Sequence, residues 1–238
     1  MGKCPRTKNR YNIICNDSNT CVDSKMKHLK SLQVLGPFNT GTNLMYNILS
    51  NYEFDNLDFM YKHEINSNII EKEIQENSKI FIIMYKPLFN WLYSIQKEQY
   101  DIKFIEGRFD GRIRFCGNNY KNIIELYNYY YNMYKNFAKY DNVIIVDYFK
   151  IIGPDGFNYL KSKLKKLSID YTDQNFFKTQ MNTPAKSHGN SVKNARHAFL
   201  RSKTIEKEWR IFVNNKPLLK SSLDNKLYDY FFLTTSIS

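Results

Sequence analysis

Several things are missing from this sequence, and each absence closes a class of function. The cysteines, Cys4, Cys15, Cys21 and Cys116, form no Cys-x-x-Cys pair and have no histidine at ligand spacing. No metal is therefore expected, because structural zinc sites draw on closely spaced thiolates and imidazoles. The even count allows two disulfides, but a nucleotide fold of this size needs no staple, so free thiols and a cytoplasmic location are the expectation. No apolar run approaches the ~20 residues of a membrane span. The N-terminus is polar and basic, without the apolar core of a secretory leader. Arg6 stands where an N-myristoylation motif has Ser or Thr, so Met1-Gly2-Lys3-Cys4 is not read as a lipidation start. No repeat or low-complexity linker divides the chain. Residues 1–28 read as an irregular N-terminal arm, and 29–238 as one domain.

What is present is basic. The 238 residues carry 35 Lys and Arg against 23 Asp and Glu, a formal charge of +12. That excess suits an anionic ligand, either a nucleotide or a polyanionic acceptor, and no feature specifies a particular nucleic acid.

The pattern of apolar residues alternates between strands and helices. Strands are expected at 30–36, 57–61, 79–84 and 142–146, the last two continuously apolar, as in buried parallel strands. Helices are expected near 42–51, 66–76, 87–99, 119–140, 155–168, 192–213 and 217–232. Residues 101–117 read as a long basic loop holding Arg108, Arg112 and Arg114, and 170–191 as irregular. The tyrosines Tyr120, Tyr127, Tyr131 and Tyr134 share one stripe of the 119–140 helix and are read as packing. The fold class is α/β, a three-layer α/β/α arrangement around a mainly parallel sheet. Ligands of such sheets bind beyond the carboxyl ends of the strands. Three notable segments fall at such ends: the loop after the first strand, Lys62-His63 after the second, and Lys86 after the third. A strand order 2-1-3 would make them neighbours.

The first of these, Gly36-Pro37-Phe38-Asn39-Thr40-Gly41-Thr42, has the glycine spacing of a phosphate-binding Walker loop at a helix N-terminus. Thr42, however, follows Gly41 where that motif needs Lys, which disfavours an ordinary ATPase or kinase.

Asn39-Thr40-Gly41-Thr42-Asn43-Leu44 resembles the 5′-phosphosulfate loop of sulfotransferases that use 3′-phosphoadenosine 5′-phosphosulfate (PAPS). Asn39 stands where that family commonly has a basic residue, and Lys62 is a substitute cation. Lys86-Pro87 through Ser94 resembles the family's 3′-phosphate segment, a basic residue with Ser eight positions later. Lys186-Ser187-His188-Gly189-Asn190 resembles its late basic loop. The resemblance implies a P-loop-like sulfotransferase fold. It also implies a donor, PAPS, held by Asn39, Thr40, Gly41, Thr42, Asn43, Lys86, Ser94, Lys186 and Gly189. His63 would serve as the base, with Glu64 its rival, and Lys62 as the cation beside the leaving oxygen. The acceptor would be a hydroxyl or amine, with a carbohydrate favoured because the arginines of 101–117 would suit a polar glycan. Two alternatives stay open. One is a divergent nucleotide kinase using Asp147 for magnesium. The other is a non-catalytic module binding an anion or glycan.

Overall fold

The computed structural model describes residues 31–52, 60–182 and 195–236. Strand β1 (Ser31–Leu35) leads through a short loop into helix α1 (Thr42–Leu49). Helix α2 (Ser67–Gln75) precedes β2 (Lys79–Tyr85), which turns at Lys86-Pro87 into α3 (Leu88–Lys97). A small antiparallel sheet follows, β3 (Lys103–Phe104), β4 (Ile113–Phe115) and β5 (Asn118–Tyr120). Helix α4 (Ile123–Phe137) then leads to β6 (Val143–Asp147) and the short α5 (Tyr148–Ile151). The rest is helical: α6 (Gly156–Lys165), α7 (Gln174–Asn182), α8 (Ala195–Asn214), α9 (Pro217–Lys220) and α10 (Asn225–Ser236).

The main sheet is parallel, in the order β1-β2-β6. Side chains alternate across a strand, so each strand feeds two cores. Phe81, Ile83, Tyr85, Val143 and Ile145 pack with α2, α3, α4, α8 and α10. Ile80, Ile82, Met84, Ile144 and Val146 pack with α1, α6 and α7 on the opposite face. The continuously apolar strands are thus buried on both sides, as expected for the α/β class.

Several boundaries differ from those the sequence suggests. Residues 57–59 of the expected second strand lie outside the described residues, and Met60 and Tyr61 are not in a strand. The segment still runs along the outer edge of β1: the Gly36 N–H donates to the Lys62 carbonyl at 3.0 Å, and Gln33 Nε2 to the Met60 carbonyl at 3.3 Å. The basic loop at 101–117 contains strands β3 and β4, because buried Ile113 and Phe115 alternate with exposed Arg112 and Arg114 at period two. Its continuation, β5, takes the first residues of the long helix expected from 119. The stretch 170–191 contains α7, started by Asp173, whose carboxylate accepts from the Phe176 N–H at 2.8 Å. The last expected helix is two, since Asp224 caps a new start by accepting from Leu227 N–H at 3.0 Å. Cys116 departs from the free-thiol expectation and is disulfide-bonded. It sits in the β4–β5 turn. The arm at 1–28, with Cys4, Cys15 and Cys21, and the late loop with Lys186 and Gly189, lie outside the described residues. Among the described residues no helix is long and apolar enough to cross a membrane.

Candidate functional site

The carboxyl ends of β1, β2 and β6 meet around the loop 36–41. Gly36 is held close to β2. A Cβ there would lie 2.5 Å from Thr40 Oγ1 and 3.1 Å from the Met84 Cβ. Buried Thr40 closes the turn by donating its hydroxyl to the Pro37 carbonyl at 2.7 Å. Gly41 caps α1 with φ at 90°, and a Cβ there would strike the Tyr148 ring at 2.5 Å. No side chain caps α1 and no acidic residue sits in its first turn. The opening N–H groups of this helix, around Thr42 and Asn43, therefore carry no cap from a described side chain and lie at the positive end of the dipole.

Two segments grip this loop from opposite sides. On one side, Lys62 and His63 both meet Gly36. Besides the Lys62 carbonyl contact, His63 Nδ1 lies 2.6 Å from the Gly36 carbonyl oxygen. A carbonyl can only accept, so Nδ1 carries the proton and Nε2 keeps its lone pair. The ring is buried at 5% exposure, against Phe38 at 4.2 Å between ring centroids. Burial pushes its pKa down to about 3, assisted by the neighbouring Lys62 charge and opposed by the Gly36 hydrogen bond. His63 is therefore neutral at physiological pH. Lys62 reaches across α1's first turn and donates to Asn43 Oδ1. Burial also lowers the Lys62 pKa. The carboxylate of Glu64 accepts from the N–H groups of Ile65 and Asn66, so it shapes the turn before α2.

On the other side, Lys86 Nζ donates to the Asn39 carbonyl at 3.1 Å and to Ser94 Oγ at 2.8 Å. The eight-residue spacing thus becomes a direct contact, because β2 ends at Tyr85 and Ser94 lies two turns along α3. Lys86 is 8% exposed and has no carboxylate partner among the described residues. Its ammonium lies 5.0 Å from the Tyr148 ring centroid and 5.9 Å from that of Phe149. Aromatic faces attract a cation but do not neutralise it. Burial lowers the Lys86 pKa to about 7. Asn39 is not available as a ligand through its side chain. Its Nδ2 donates to the Ser94 and Glu98 carbonyls, and its Oδ1 accepts from Tyr100. With φ at 62°, it fixes the loop to the end of α3.

The structure therefore brings together His63, Lys62, Asn39, Thr40, Gly41, Thr42, Asn43, Lys86 and Ser94. It also adds residues that the motifs did not single out. A cleft beside Lys86 and Ser94 is lined by Asn90, Tyr148, Phe149 and, from α8, Arg201. Tyr148 and Phe149 follow β6 directly, so the rule of strand ends covers them too. Tyr127, Tyr131 and Tyr134 of α4 are core, as expected, as is Tyr130 beside them, and several of these hydroxyls hold the site's backbone. Tyr130 donates to the His63 carbonyl at 2.8 Å, and Tyr127 to the Lys86 carbonyl at 2.8 Å. The Lys86 N–H donates to Tyr131 at 3.2 Å.

Three further sequence candidates have partners within their own segments. Asp147 is buried and caps α5 through the Phe149 N–H at 2.7 Å, and burial raises its pKa to about 6. Arg108 and Arg112 ion-pair with Glu106 at 3.1 and 2.9 Å within their own hairpin. Compared with family models, curated proteins and solved structures, the chain has no match in any of the three.

Proposed function

We propose that this chain is a PAPS-dependent sulfotransferase acting on an acceptor hydroxyl or amine. The observation that carries the reading is Lys86: a buried cation, held by a carbonyl and a hydroxyl, with no counter-charge among the described residues, beside a helix N-terminus that no described side chain caps. A buried charge without a partner is costly, and an anionic ligand removes that cost. Two anion-binding elements side by side suit a donor bearing two separate phosphate groups. The resemblance of the two motifs to the sulfotransferase family supports this choice of donor over a nucleoside triphosphate.

On this reading the N–H groups at 40–43 hold the 5′ end of the donor, and Lys86 with Ser94 holds its 3′-phosphate. The donor would supply the sulfuryl group and depart as the bisphosphate nucleotide. Nε2 of His63 would take the acceptor's proton as the acceptor oxygen or nitrogen bonds to sulfur. Lys62 would balance the charge gained by the bridging oxygen as its bond to sulfur breaks, filling the place that Asn39 leaves. Rate would come chiefly from positioning and electrostatics. A carbohydrate hydroxyl remains our choice of acceptor, though the pairing of Arg108 and Arg112 with Glu106 weakens the argument from those arginines.

A second reading, a nucleotide-binding module without transfer, is favoured by one observation. A histidine held at a pKa of about 3 is a weak proton acceptor. Thermal melting with adenosine 3′,5′-bisphosphate against ATP with magnesium tests the donor. At a hundredfold excess over Kd, the bisphosphate should stabilise the fold by about 2.7 kcal/mol, a Tm rise of roughly 5–10 °C. Stabilisation by ATP with magnesium alone would overturn the proposal.

A further inference from the structure

Among the described residues, three buried side-chain atoms have no hydrogen-bond partner: Gln33 Oε1, Asn90 Oδ1 and Tyr134 Oη. Asn90 is the one of these three that lines the cleft beside Lys86. It is 3% exposed, in the first turn of α3, among the apolar neighbours Leu88, Phe89, Trp91 and Leu92. Asparagine is a poor helix former, and a dry acceptor is costly. Packing alone would be better served by leucine. A polar atom left dry at the wall of a cleft points to a ligand that completes it.

The position of Asn90 says which part of the ligand. Ser94 Oγ donates to the Asn90 carbonyl at 3.0 Å and accepts from Lys86 at 2.8 Å. Asn90 therefore sits one helical turn from the Lys86–Ser94 pair, on the same face of α3. Residues four apart on a helix stand about 5–6 Å apart at Cβ. With a phosphate on Lys86 and Ser94, the group that meets Asn90 lies within a bond or two of the phosphate ester. In a nucleoside 3′-phosphate, the hydrogen-bonding group at that distance is the 2′-hydroxyl of the ribose.

We infer that Asn90 reads the 2′-hydroxyl of a ribonucleoside 3′-phosphate, making the cleft selective for ribose over deoxyribose. The inference rests on the nucleotide reading above. A hydroxyl both donates and accepts, so either orientation of the Asn90 amide serves. Tyr148 and Phe149 stand beside Lys86, Arg201 and Ile205 of α8 line the cleft as well, and α3 contributes Asn90 and Ser94 to it.

Calorimetric titration with adenosine 3′,5′-bisphosphate and its 2′-deoxy counterpart tests this. The unaltered protein should bind the ribonucleotide about five- to tenfold more tightly, the size of one hydrogen bond. Asn90→Leu should bind both nucleotides equally, and without ligand should melt at a higher temperature, because the dry oxygen is gone. A purely structural asparagine would give a lower melting temperature and unchanged discrimination. Asn90→Ala provides the same binding readout should leucine fail to fit. Equal binding of both nucleotides by the unaltered protein overturns the role of Asn90 and leaves the nucleotide reading standing. So does discrimination that survives in the variants. Binding of neither nucleotide overturns both.

Discussion

Lys86 is 8% exposed and faces a carbonyl, a hydroxyl and two aromatic rings, whereas the Arg112 side chain is 69% exposed and holds the Glu106 carboxylate at 2.9 Å. Both are cations in segments that the sequence marks as basic. Arg112 and Arg108 already have their counter-charges, Glu106 and Asp110, within one hairpin. Lys86 has none among the described residues. The difference teaches that a charge excess locates a ligand poorly. A cation that the fold buries and leaves unneutralised locates it well, because only there does a bound anion relieve an energetic cost.

The largest test falls on the buried side of this contrast. Asparagine can keep a donor near the place of Nδ1 while removing Nε2. His63→Asn should therefore lower turnover by about 10²–10⁴-fold, the usual worth of a general base. Affinity for adenosine 3′,5′-bisphosphate should stay within a few-fold. Because burial holds the imidazole at a pKa of about 3, the acid limb of the rate profile should lie below pH ~5 rather than near the ordinary histidine value of ~6.5. Full turnover by the variant would move the base elsewhere, with Glu64 the next to test.

Lys86→Met should weaken the same nucleotide by about 10- to 100-fold, as expected for a hydrogen bond to a charged group. The ligand-free variant should melt no lower than the parent, since the buried charge is gone. The pH dependence follows from the same group. Unfolded lysine titrates near ~10.4. In the fold, burial brings Lys86 to about 7. Between those values the unfolded chain binds more protons, so Lys86 contributes a rise in ligand-free stability from pH 7 to ~10. Nucleotide affinity should run the other way, falling by up to about tenfold per unit above pH 7 as the ammonium is lost. Lys86→Arg stays charged and should remove that alkaline fall. A flat affinity profile in the parent would show that Lys86 is not the anion's partner.

How much of this could be read beforehand depends on how local each signal is. The alternation of β2 and β6 with helices, and the glycine spacing of 36–41, are written in runs of five to seven residues, and the structure places them where the pattern does. The Lys86–Ser94 spacing was legible for the same reason. The strands of the 103–120 hairpin were masked because two or three residues carry too little periodicity against their glycines and arginines. Helix α7 was missed although Asp173 marks its start. The role of Asn39 was hidden, since its amide is engaged by Glu98 and Tyr100, 59 and 61 residues away. The hydroxyls of Tyr127 and Tyr130 were invisible in a different way. The stripe announces a buried face, but not that Tyr127 would meet the Lys86 carbonyl, and Tyr130, which meets the His63 carbonyl, lies outside the stripe.

That last feature makes a smaller test. Tyr130→Phe keeps the ring and removes the donor to the buried His63 carbonyl. It should cost about 1 kcal/mol of stability in urea unfolding. It should also lower turnover more than nucleotide affinity, because the hydroxyl supports the segment of the base. Tyr127→Phe removes the donor to the Lys86 carbonyl and should show the opposite split. Equal effects of the two on affinity would mean that α4 supports the site only as a packed core.

The smallest effect belongs to the exposed cations, and its smallness is the point. Arg108→Ala and Arg112→Ala, alone or together, should change nucleotide affinity less than twofold at physiological salt. Exposed ion pairs are weak, and charges more than ~8 Å from a ligand are largely screened. Glu106→Gln offers the sharper variant, because it releases Arg112 and leaves Arg108 with the more distant Asp110. If the hairpin receives a polar acceptor, this change should alter acceptor KM in a salt-dependent way while leaving nucleotide affinity untouched. If the arginines merely hold their own hairpin together, neither quantity should move. A shift in nucleotide affinity in this variant would place the hairpin inside the donor site, and the contrast between buried and exposed cations would fail.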